Sequence, residues 1–162
     1  MKLKAFTLIE LLLYVAIISI VLSAILPIGL SVVQSSIKNS IYQELGSVAR
    51  NVLERIKYEI RNASYISSVN ANSITVINDS GASLTIDSTG GKVRINIGNG
   101  PVDITPYNTY VESLIFTDGT SVDDKSKNIQ IQMKLRTNYS NSDRIDFKSE
   151  IILLTSVELR RT

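Results

Sequence analysis

Between Leu11 and Val33 the chain carries no charged side chain, and only Ser19, Ser23, Pro27, Gly29 and Ser31 interrupt its large apolar residues. About 20 residues of helix, at about 1.5 Å each, cross the hydrocarbon core of a bilayer, so this run is long enough to span. Such a segment belongs in lipid or against other helices, and the rest of the chain must fold outside it. A short basic leader precedes it, Met1 to Ala5, with Lys2 and Lys4. One carboxylate, Glu10, sits inside the apolar segment near its start. A charge at mid-bilayer costs at least about 2.5 kcal/mol, so such a group is normally paired or functional. The alternative is that Glu10 lies at the helix start, within reach of the interface and favoured by the N-terminal helix dipole. Physics alone leaves both readings open.

The residues Phe6-Thr7-Leu8-Ile9-Glu10, set between a basic leader with a small last residue and an apolar helix, resemble the class III signal of type IV pilins and pseudopilins. The resemblance covers about the first 30 residues. It implies that a prepilin peptidase cuts between Ala5 and Phe6 and methylates the new amine of Phe6. It also implies that Thr7 and Glu10 serve assembly, with Glu10 meeting the N-terminal amine of a neighbouring subunit. A buried carboxylate wants a cation, so the physics agrees. Pro27 falls where the family often has a helix-breaking proline, and with Gly29 it marks an expected bend or loosening of the helix. The residue before the cut is usually Gly and here is Ala5. Ala is small, so processing is expected to survive at a lower rate.

Composition narrows the function classes. The length of 162 residues suits one domain plus an anchor. Charge is nearly balanced, 17 Lys+Arg against 15 Asp+Glu, and loss of Lys2 and Lys4 with the leader makes the balance even. No basic field for nucleic acid or acidic lipid results. Cysteine is absent, which removes disulfides, thiolate chemistry and lipoprotein acylation. Histidine is absent too, removing the commonest metal ligand and general base. No catalytic constellation is legible, so an enzyme is not expected. An ordinary secretory signal is a rival reading of the N-terminus, but its best small-residue site, Val21-Leu22-Ser23, is poor.

After Val33 the period changes. Ile37, Ile41, Leu45, Val48, Val52, Ile56, Ile60 and Ala63 recur every three or four residues, the apolar face of an amphipathic helix. Arg50 with Glu54, and Arg55 with Glu59, are spaced to pair across one turn. One helix from about Thr7 to Asn62 is therefore expected. From Tyr65 the period is two. Ser73–Asn78, Ser83–Asp87 and Lys92–Ile97 predict a meander with turns at Asp79-Ser80-Gly81 and Thr89-Gly90-Gly91. Val102–Thr105 predicts a short edge strand, and Tyr110–Thr117 a strand with Val111, Leu114 and Phe116 inward. Ile129–Leu135 alternates strictly, and Ile145–Leu159 closes the chain, with Ile151–Leu154 expected to be central or under the helix. The fold class is α+β, a long N-terminal helix packed on antiparallel sheet. The parts are a leader at 1–5, a transmembrane or filament-core helix at 6–33, its amphipathic half at 34–64 and a β domain at 65–162. The strand order also resembles minor pilins of the W type and J-type pseudopilins.

Other candidate sites rank lower. Asp118, Asp123 and Asp124 share a loop and could bind calcium, as some pseudopilins do, but a solvated polar loop is preferred and no cofactor is expected. Gly90-Gly91 and Gly98-Asn99-Gly100 join strands, so they are turns and not phosphate loops. Tyr107, Tyr110 and Tyr139 lack a basic groove for stacking on bases. Arg160-Arg161 reads as a frayed tail.

The expected function is a minor pilin or pseudopilin subunit of a type IV pilus or type II secretion-like filament. Its partners would be prepilin peptidase, other pilin or pseudopilin subunits and an inner-membrane assembly platform. It would sit in the inner membrane with its C-terminal domain outside the cytoplasm. The alternatives are a DNA- or surface-binding competence pilin, which the even charge disfavours, and a secreted domain behind a cleaved signal.

Overall fold

The computed structural model describes residues 7–120, 127–138 and 149–159. Helix α1 (Leu8–Arg61) is followed by strands β1 (Tyr65–Asn70), β2 (Ser73–Ile77), β3 (Ser83–Thr89), β4 (Lys92–Asn96) and β5 (Pro101–Asp103). Then come β6 (Thr109–Asp118), β7 (Asn128–Thr137) and β8 (Glu150–Glu158). The order is helix first and consecutive antiparallel hairpins after, an α+β, pilin-like architecture. By contacts the chain forms two units, Met1–Asn39 and Ser40–Thr162.

In the first unit α1 runs through Pro27 without a break in assignment, and every described residue is exposed. Three serine hydroxyls in its apolar stretch are satisfied inside the helix. Ser19 donates to the Val15 carbonyl at 2.7 Å, and Ser23 and Ser31 donate to Ile20 and Ile28 at 2.8 Å. These bonds keep the three hydroxyl donors from being stranded in an apolar solvent.

In the second unit burial starts at Ile41 and continues through Leu45, Gly46, Ala49, Val52, Leu53, Ile56 and Ile60. Leu53 and Ala49 widen the stripe beyond the expected one, and Ile37 is exposed. The stripe packs on two antiparallel sheets, β1-β2-β3-β4-β5 and β6-β7-β8, whose inward residues form one core with it. Ile74, Val76, Leu84, Ile86, Val93 and Ile95 come from the first sheet; Val111, Leu114, Phe116, Ile129, Ile131, Met133 and Leu135 come from the second. The Arg55–Glu59 pair forms at 2.6 Å, whereas Glu54 takes Lys57 at 2.7 Å instead of Arg50. With the acid N-terminal to the base, Glu54–Lys57 has the orientation the helix dipole favours.

The sheets are joined at right places for β6. It lies along the hairpin tips of the first sheet, its Val111 N–H donating to the Gly91 carbonyl at 2.9 Å and its Phe116 N–H to that of Ala71 at 2.9 Å. Three expectations need correction. The meander has five strands, because β1 also joins it; a bulge between Ile66 and Ser68 breaks the alternation that would have revealed β1. Ile97 does not face inward with Ile95; β4 ends at Asn96, whose side-chain oxygen accepts the Gly98 N–H at 2.9 Å and turns the chain out. Ile151–Leu154 is not central; the other expectation, a place under the helix, holds on one face only, where Ile151 lies opposite Gly46 of α1. β7 is the central strand, β8 is an edge, and only Ile151 and Leu153 pack on the core.

On the outer face of the second sheet Lys134 reaches Glu112 at 2.8 Å and Glu150 at 3.1 Å, and Arg136 reaches Glu112 at 3.2 Å. Lys134, and less so Arg136, hold the Glu112 carboxyl below its ordinary range, and Glu112 with Glu150 raises the Lys134 ammonium. A carboxyl lowered by folding adds stability above its unfolded pKa and loses it as pH falls through the folded one. Melting temperature should therefore drop less between about pH 6 and pH 3 in Glu112→Gln than in the native chain. The groups are solvated, so the difference should be small, and equal drops would show that the pair contributes nothing.

Candidate functional site

The start of α1 is built by Thr7. It is the N-cap, and its carbonyl accepts the N–H groups of Glu10 at 3.1 Å and Leu11 at 3.2 Å. Its hydroxyl oxygen also accepts the Glu10 N–H at 3.4 Å. Thr7-Leu8-Ile9-Glu10 thus has the spacing of a capping box, with Glu10 at the third helical position. This role of Thr7 was legible as Thr-x-x-Glu ahead of an apolar run. Glu10 is exposed, and among the described residues its carboxylate has no hydrogen-bond or ion-pair partner. It sits in the first turn, where the helix dipole favours it, at one end of an exposed apolar surface. Leu8 and Ile9 are 77% and 75% exposed, and large apolar side chains continue to Val33. The helix is long and apolar enough, by length and composition, to cross a membrane. A surface of that extent is stable only against lipid or other apolar helices.

Ala5 and Phe6 lie outside the described residues, as do Asp123, Asp124, Tyr139, Arg160 and Arg161. Residues 1–26 match the family described as the prokaryotic N-terminal methylation motif. The chain opens on a prepilin-type methylation motif. No curated protein matches the chain. No solved structure matches it either. The methylation motif supports a type IV pilin or pseudopilin processed by prepilin peptidase and assembled with other pilins. Together with the single apolar N-terminal helix, it fits anchoring in the inner membrane with the C-terminal domain outside.

The remaining candidates are explained by local structure. Gly90 and Gly91 form the β3–β4 hairpin turn with φ of +62° and +74°. The Tyr110 ring lies against Gly91 of that turn and carries the Arg136 guanidinium 4.2 Å from its centroid, so it is not a free platform for a ligand. Tyr107 is exposed. Asp118 is held below the ordinary carboxylate range by the Thr120 hydroxyl and N–H, with Lys127 adding to the effect. Its Oδ1 is engaged within its own turn. Among the described residues no group of three or more Asp or Glu could hold a metal ion. A shallow cleft of about 260 Å³, lined by Val48, Asn51, Val52, Arg55, Ile104 and Pro106, is mostly apolar.

Proposed function

We propose that this chain is a minor pilin or pseudopilin that enters a helical filament through α1. The observation that carries the reading is the capped Thr7–Glu10 turn inside the methylation motif, its carboxylate unpartnered among the described residues, at the head of the exposed apolar stretch of α1 that runs to Val33. Burial of that helix against neighbouring helices drives assembly. Cleavage between Ala5 and Phe6 would free an amine, and on an adjacent subunit that amine is a cation for Glu10, which has none among the described residues of its own chain. Pro27 removes one backbone donor, so the stretch with Gly29 is where the helix can bend or loosen in the filament. The strand order favours the W-type minor pilins and J-type pseudopilins.

The mature N-terminus tests this. Mass spectrometry should find N-methylated Phe6, and Ala5→Trp should block the cut while membrane insertion persists. An intact Met1, or a new N-terminus at Ala24, would refute the reading. A fragment starting near Gln34 should be soluble and monomeric and should unfold cooperatively, because the core begins at Ile41. Aggregation of that fragment would place the boundary elsewhere.

A further inference from the structure

The sheets end on β1, β5, β6 and β8, and among the described residues only β8 is unprotected. β1 carries a bulge, and β5 has three residues and begins with Pro101. β6 lies against the hairpin tips. Short length, bulges, proline and cover are the ordinary ways of blunting an edge. β8 has nine residues, no proline and no register shift against β7, and among the described residues no strand pairs with its far side.

The bonding pattern fixes what that far side offers. The Thr137 N–H donates to the Ser149 carbonyl at 3.1 Å, and the Leu159 N–H to that of Lys127 at 2.9 Å. Hydrogen-bonded pairs recur every second residue, so the odd-numbered residues of β8 bond β7. The N–H and C=O groups of Glu150, Ile152, Leu154, Ser156 and Glu158 therefore face the open edge. Their side chains share the outer face, where Ile152 is 56% and Leu154 72% exposed. Among the described residues the edge thus presents unpaired backbone groups beside an apolar centre, with the Glu158 carboxylate at one end and, at the other, that of Glu150, whose side chain is 62% exposed and also reaches Lys134 at 3.1 Å.

We infer that the open edge of β8 accepts an extended segment of a partner protein as an added strand. That segment carries apolar alternate residues, with Lys or Arg where it passes Glu150 and Glu158. A second copy of β8 fits poorly. An antiparallel pair centred on Leu154 sets Glu150 against Glu158 of the copy, and like charges directly opposite are destabilising. The inference stands on the sheet alone and survives or fails independently of the filament reading.

The test is amide hydrogen exchange on the full chain in detergent micelles, with a synthetic peptide Lys-Thr-Val-Thr-Val-Thr-Val-Thr-Lys as probe. In the free chain the amides of Ile152, Leu154 and Ser156 should exchange fast and those of Ile151, Leu153 and Thr155 slowly. The peptide should slow the first set at least about tenfold and leave the second unchanged. The same peptide with Glu at both ends should not. Leu154→Pro removes a donor from the open edge without removing a bond to β7, so it should abolish the effect at an unchanged melting temperature. Leu154→Lys, which keeps the backbone donor, should weaken it. The inference is overturned if the Lys-ended peptide protects nothing up to its solubility limit, or if the Glu-ended one protects equally. It is also overturned if the even-numbered amides of the free chain become protected as chain concentration rises, which would assign the edge to a second copy.

Discussion

Glu10→Gln is expected to be cut after Ala5 and retained in the membrane, yet recovered in sheared filaments at no more than about one tenth of the native level. Gln keeps the size of the side chain and removes only its charge. The carboxylate has no partner among the described residues of its own chain, and the proposed partner is the amine of Phe6 on the next subunit. Removing one member of a buried pair costs about 3–5 kcal/mol, so even a partly solvated pair gives a large loss. Glu10→Ala should fall slightly further, because it also gives up the favourable dipole interaction in the first turn. Both variants leave the Thr7 cap in place, since the Glu10 contribution to it is a backbone N–H. The comparison to make is the filament fraction against the membrane fraction for each variant. Equal incorporation of native chain and Glu10→Gln would mean that the carboxylate only sits at the interface.

Gly91→Ala should destabilise the folded domain by about 3 kcal/mol, enough to lower its melting temperature by on the order of 10 °C or more. Two costs combine. Gly91 has φ of +74°, a conformation that costs a residue with a Cβ about 1–2 kcal/mol. A Cβ built there would also lie 2.2 Å from the Tyr110 ring. That ring is itself packed, with the Arg136 guanidinium 4.2 Å from its centroid and Arg136 tied to Glu112. Gly90→Ala is the control. Its φ is +62°, but nothing lies within 4 Å of the added carbon, so only the conformational cost of about 1 kcal/mol applies. Equal melting temperatures for the two variants would show that Tyr110 moves aside freely and that the two sheets are not held together through this stack.

The anchor segment, the helix and most of the strands were legible because each rests on a local pattern. Twenty-three uncharged residues from Leu11 to Val33 admit few environments, and Thr7-x-x-Glu10 caps whatever helix follows it. The change of period at Tyr65 and the glycine turns at Gly81 and Gly90-Gly91 then give antiparallel hairpins. The methylation motif is likewise contiguous, so it too is readable without a fold.

What depended on partners distant in sequence was not readable. β1 was hidden by its bulge, since two residues opposite one destroy the alternation. Ile151–Leu154 has apolar side chains on both faces, which in sequence reads as a covered strand, yet only strand order tells an edge from a centre. Gly91 was legible as a turn but not as the seat of Tyr110, which lies on a strand of the other sheet. Local propensity and periodicity thus determined the elements and the N-terminal signal. The order of strands, the open edge of β8 and the stack joining the sheets were decided only by tertiary packing, because each depends on which remote residues the core brings together.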